Sequence, residues 1–115
     1  MNDSTPATSN QRRTRRRRPK GNTKVACHTG PFGLGPNVAV QFLDVSEAGI
    51  RLVVQAALRP GQEIEVSLEG AAHCRPVKAL ARVVWAVEAA DGNYCVGAQF
   101  ERTLSYPDLQ HLAGP

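Results

Sequence analysis

Two short polar motifs hold the residues of this chain that could do chemistry. The first is a run of arginines, Arg12, Arg13, Arg15, Arg16, Arg17 and Arg18, six within seven positions. It contains R-x-x-x-R in two overlapping registers, Arg13 with Arg17 and Arg12 with Arg16. A guanidinium is planar, permanently charged and forked. It can donate paired hydrogen bonds to a phosphate or to guanine O6/N7, and it can stack on a purine face. The second motif is Asp44-Val45-Ser46-Glu47-Ala48-Gly49, or D-x-S-x-x-G. Asp44 can accept from two neighbouring N–H groups, a match for the N1–H and N2–H₂ edge of guanine. Ser46 can donate and accept at the same place, and Gly49 permits a tight backbone or the close approach of a flat ring. Each motif also has a plainer reading. The arginine run fits a general polyanion-binding arm or a solubilising tail, and D-x-S-x-x-G fits an Asx-turn joining two strands.

Other chemistry finds little support. The adjacent pairs Cys27-His28 and His73-Cys74 tempt a zinc reading. Neighbouring residues of a strand point to opposite faces, however, and neither pair has the spacing of a zinc knuckle. No nucleophile elbow, H-E-x-x-H or phosphate-binding loop is present. Glu63, Glu65 and Glu69 read as a solvated strand face, and nothing brings a base, a nucleophile and an orienting group together. The expectation is a binding module, not an enzyme, with no metal or cofactor.

The chain that must position these motifs has 115 residues, enough for one domain. Its net charge of +4 is unevenly distributed. Residues 1–24 carry eight basic residues against one acid, a net of +7, and residues 25–115 carry six against nine, a net of −3. The basic part has almost nothing apolar to bury, so residues 1–23 are expected to form a disordered tail and 24–115 the folded domain. No apolar stretch is long enough to span a membrane, and the N-terminus lacks the apolar region of a secretory signal. Three widely spaced cysteines suggest no disulfide framework. A cytoplasmic protein is expected.

The body reads as short strands between turns. Strands are predicted over 24–27, 38–43, 50–54, 63–68, 76–87 and 94–100, with a loop at 28–37 and turns at 44–49, 59–62 and 91–93. Val38, Val40 and Phe42 share one face. Ile50, Leu52 and Val54, then Ile64, Val66 and Leu68, then Val96, Ala98 and Phe100 are assigned inward. Cys95, Gly97 and Gln99 face outward. Arg51, two positions after Gly49, reads as a solvated strand residue that could add a phosphate contact. Ser105 as N-cap, Pro107 in the first turn and Leu109 with Leu112 predict a helix over 105–112. Five or six short strands and one terminal helix argue for a small antiparallel barrel.

In order, R-R-x-x-x-R, D-x-S-x-x-G followed by I-R-L, then R-P-G-Q-E-I-E-V-S-L, R-V-V-W and Y-C-V-G-A-Q-F resemble the PilZ domain over residues 12–112. The resemblance implies a bacterial, cytoplasmic, non-catalytic receptor for the second messenger cyclic di-GMP. It implies an all-β fold, a six-stranded antiparallel β-barrel with a short C-terminal helix. Arg13 and Arg17, or Arg12 and Arg16 in the shifted register, would clasp guanine and phosphate groups. Asp44 and Ser46 would hydrogen-bond a guanine, Gly49 would leave room for it, and Gly97 would offer a flat place for the ligand. The tail would order on binding and signal to a downstream protein partner. The alternatives are an arginine-rich nucleic-acid-binding arm on a structural barrel, or a ligand-independent protein-interaction adaptor.

Overall fold

The computed structural model describes residues 16–113 other than 22, 31–33 and 71–74. The strands are β1 (Lys24–Thr29), β2 (Ala39–Val45), β3 (Gly49–Val54), β4 (Glu63–Glu69), β5 (Val77–Glu88) and β6 (Tyr94–Phe100), followed by the helix α1 (Tyr106–Leu112). They form one antiparallel sheet in the order β1-β4-β5-β6-β3-β2. The sheet curls until its two edges nearly meet. There Val38 N–H donates to the Cys27 carbonyl at 2.9 Å, and Cys27 N–H donates to Asn37 Oδ1 at 2.9 Å.

Period-two alternation decides what fills this barrel. Ile50, Leu52 and Val54, Ile64, Val66 and Leu68, and Val96, Ala98 and Phe100 all point inward at 5% exposure or less, as their spacing predicts. Each larger aliphatic side chain buried in this way contributes about 1.5–3 kcal/mol. Leu109 and Leu112 of α1 are buried with them. The helix starts where expected: Ser105 Oγ accepts from Asp108 N–H at 3.2 Å, with Pro107 in the first turn.

The strands depart from the sequence expectation at three points. β1 runs on to Thr29, two residues into the predicted loop. β2 runs through Val45, so Asp44 belongs to a strand and the turn is confined to residues 46–48. The alternation over 38–43 also breaks. Val38 is 8% exposed but Val40 is 51% exposed, because a bulge between Ala39 and Gln41 adds an unpaired residue.

Two further bulges matter more. Phe42 pairs with Leu52 and Asp44 with Arg51, which leaves Leu43 as an extra residue. Val83 pairs with Ala98 and Trp85 with Gly97, which leaves Val84 as an extra residue. In an unbroken strand Asp44 would share the face of Phe42, and Trp85 the core-facing side of Val83. Each bulge turns its residue over. Asp44 and Trp85 therefore stand on the outside of the barrel although their places in the alternation assign them to the inside.

The tail expected over 1–23 lies outside the described residues as far as residue 15. Beyond that, Arg17 and Val45 exchange backbone hydrogen bonds of 2.7 and 3.0 Å. Lys20 N–H and Thr23 Oγ1 both donate to the Leu112 carbonyl at 3.0 Å, and Pro19 bridges to Ala113. This segment crosses the end of β2 and the end of α1.

Candidate functional site

Cross-strand register assembles the site. Asp44 pairs with Arg51, Arg51 with Gly97, and Gly97 with Trp85. The four residues form one transverse row over β2, β3, β6 and β5 on the outer face. They come from separate parts of the chain and are brought side by side by the pairing of neighbouring strands, which places side chains more precisely than a loop does.

At one end of the row, Asp44 is held by two arginines. Arg51 Nε donates to Asp44 Oδ2 at 2.8 Å and to Oδ1 at 3.0 Å, and Arg51 Nη2 donates to Oδ2. Arg16 Nη1 donates to Oδ1 at 3.0 Å. The Asp44 side chain is left 11% exposed, and the side chains of Arg16 and Arg51 remain about two-fifths exposed, at 41% and 42%. Its bonds to Asp44 raise the pKa of Arg51 above the ordinary guanidinium value. Arg17 turns the other way, as the neighbouring residue of an extended segment must, and lies over the Tyr106 ring at 5.8 Å.

At the other end, Trp85 lies on Gly97. A Cβ at Gly97 would fall 2.7 Å from Trp85 Cζ2 and closer still to Cε2 and Nε1. Only a residue without a side chain lets the indole rest against the strand here. Gly49 is required for a different reason: its Cβ would lie 2.6 Å from the Ala98 carbonyl oxygen, so β3 and β6 approach each other through it. Ser46 is 2% exposed, and its Oγ accepts from Ala48 N–H at 3.3 Å and Gly49 N–H at 3.2 Å. The turn is tied to the far end of β6, where Phe100 N–H donates to the Ala48 carbonyl and Leu104 N–H to that of Glu47, both at 2.8 Å.

Between the row and this turn lies a cleft of about 400 Å³ with Arg16, Ser46, Gly49, Trp85 and Gly97 in its walls. That size is ordinary for a small-molecule site. The structure thus brings Arg16, Ser46, Gly49 and Gly97 to one cleft and sets Asp44 at its border through Arg16. Arg17 is directed to Tyr106 instead. Arg12 and Arg13 lie outside the described residues. Among the described residues no group of three His, Cys, Asp or Glu side chains could hold a metal ion. The Cys27 thiol is buried in the core, where desolvation pushes it up to about 11.

Sequence reasoning missed two members of the row. Arg51 reads as a solvated strand residue but is the principal partner of Asp44. Trp85 sits in a run of apolar residues with nothing to mark it as outward. The signal for both was register: Arg51 is seven residues after Asp44 across a short hairpin, and Trp85 stands opposite an outward glycine.

No helix among the described residues is long and apolar enough to cross a membrane. No curated protein and no solved structure matches the chain. The family model of the PilZ domain matches residues 10–114, nearly the whole sequence, and a six-stranded antiparallel barrel with a short C-terminal helix is the fold that the motifs led us to expect. By that match the chain belongs to the PilZ domain family.

Proposed function

We propose that this protein is a non-catalytic, cytoplasmic receptor for cyclic di-GMP, the ligand associated with its family. One observation carries the reading: the D-x-S-x-x-G turn, an arginine of the R-x-x-x-R motif and a half-buried tryptophan border one outer cleft. Those groups match the chemistry of the ligand, which carries two guanines and two phosphates. In this reading Trp85 supplies a face on which a guanine stacks. Asp44 accepts from the guanine N–H edge, and Ser46 and Gly49 fix the wall of the cleft. Arg16 exchanges Asp44 for a ligand phosphate, and Arg12 follows in the same register. Attraction between the basic N-terminal segment and the phosphates assists encounter and is screened by salt. The ordering of that segment over the bound ligand is the signal offered to a downstream protein.

The test is a calorimetric titration of the full chain with cyclic di-GMP at moderate salt, followed in parallel by the emission of Trp85, the single tryptophan. Saturable binding that quenches Trp85, is selective over GTP and single-stranded RNA, and is abolished in Asp44→Ala supports the reading. Binding of RNA that survives Asp44→Ala, with no response to cyclic di-GMP, would instead identify an arginine-rich nucleic-acid arm.

A further inference from the structure

The receptor reading leaves Arg51 unused, although it is the closest partner of the acid on which base recognition would depend. A carboxylate offers about four lone-pair directions. Arg51 takes the side facing β3, through Nε to both oxygens and Nη2 to Oδ2. Arg16 takes one direction on Oδ1. The two arginines differ in attachment. Arg51 and Asp44 are register partners on paired strands, so their contact lasts as long as the sheet does. Arg16 belongs to the N-terminal crossing, which meets β2 at the isolated bridge of Arg17 with Val45 rather than along a paired strand.

We propose that Arg51 is a specificity-determining positioning residue: its fork locks the Asp44 carboxylate so that the Oδ1 edge, covered by Arg16 in the free protein, is the acceptor offered to guanine. The proposal rests on the receptor reading above. Its logic is one of fixed against free acceptors. Guanine presents N1–H and N2–H₂ donors, whereas adenine has a lone pair at N1 and no amino group at C2. A carboxylate that cannot rotate away must face that lone pair, and the mismatch excludes adenine. A carboxylate free to swing about its own bonds would escape the mismatch and lose the discrimination. An ammonium could supply the charge of Arg51 but not its planar fork.

The experiment measures the affinities of the full chain for cyclic di-GMP and cyclic di-AMP at fixed salt in wild type, Arg51→Gln, Arg51→Lys, Asp44→Asn and the Arg51→Gln/Asp44→Asn pair. Urea midpoints for each variant confirm folding. Arg51→Gln is expected to lower the ratio of the two affinities by about tenfold or more, and Arg51→Lys to do nearly the same despite its charge. In the Asp44→Asn background Arg51→Gln should change the ratio and the cyclic di-GMP affinity less than about twofold, since positioning has nothing left to act on. Equal weakening of both ligands, undiminished in the Asp44→Asn background, would mean that Arg51 touches phosphate or acts as bulk charge, and would overturn the proposal. Full selectivity in Arg51→Lys would overturn it as well. A wild-type protein that binds no cyclic di-GMP overturns the receptor reading itself, and the proposal with it.

Discussion

Gly49→Ala and Gly97→Ala add the same methyl group to adjacent paired strands, yet the structure separates their consequences. At position 49 the new carbon falls 2.6 Å from the Ala98 carbonyl oxygen, 0.8 Å inside an ordinary contact of 3.4 Å. The obstacle is backbone, so relief requires β3 and β6 to part. Moving them ~0.8 Å stretches ladder bonds of ~2.9 Å to ~3.7 Å, beyond hydrogen-bond length. Losing two or three such bonds at roughly 0.5–1.5 kcal/mol each amounts to about 1–4.5 kcal/mol, with a centre near ~2.5 kcal/mol. At position 97 the obstacle is the Trp85 indole, a half-buried side chain at the surface. It can swing out, and the loss is its contact with the strand, about 1–2 kcal/mol. Urea unfolding followed by far-UV circular dichroism, with the Trp85 emission maximum of the folded state, reads both effects. Gly49→Ala should lower the midpoint more while leaving emission near that of wild type. Gly97→Ala should lower it less and shift emission to the red as the indole enters water. A larger stability loss from Gly97→Ala, or unchanged emission in that variant, would refute the assignment of the two glycines.

Three further outcomes are expected. The Cys27 thiol is raised from 9.0 to about 11 by burial, so the stability it contributes is fully present below pH 9 and is lost as pH rises through 11. The loss is of order ~3 kcal/mol, and Cys27→Ala should flatten the fall of the urea midpoint between these pH values; parallel curves for the two proteins would contradict this. Ser105→Ala removes the acceptor of the Asp108 N–H and should cost about 0.5–2 kcal/mol, measured as a lower thermal midpoint, with Ser105→Asp restoring it. Arg12→Ala with Arg16→Ala should weaken cyclic di-GMP binding more than Arg15→Ala with Arg18→Ala in calorimetric titration; equal losses would mean that the arginines act only through net charge.

The parts of the fold that alternation controls were legible in the sequence. β4 and β6 have nearly the expected limits, and their inward residues are those that the period of two selects. The helix was legible because Ser105, Pro107 and the leucine pair are local signals. The candidate site was legible only in its parts. D-x-S-x-x-G marks a turn, but the burial of the Ser46 hydroxyl within that turn depends on how β6 receives it. The outward placement of Asp44 and Trp85 comes from bulges at Leu43 and Val84, and a bulge is a property of two strands fitting each other rather than of either alone. Arg51 was misjudged for the same reason. Its partner is a neighbour in the sheet, and pairing between strands is set by turn length and packing that a single chain segment does not display.

The stretch from Arg16 to Lys20 has one more consequence. β2 ends one side of the sheet, and an uncovered margin of amides and carbonyls invites the same margin of another copy. The exchange between Arg17 and Val45 closes part of that margin, and Lys20 caps the helix terminus beside it. The stretch from Arg16 to Lys20 is thus a hem on the barrel: trimming the chain back to Lys24 would remove a set of cations and also bare the backbone groups of Val45 at the border of the sheet.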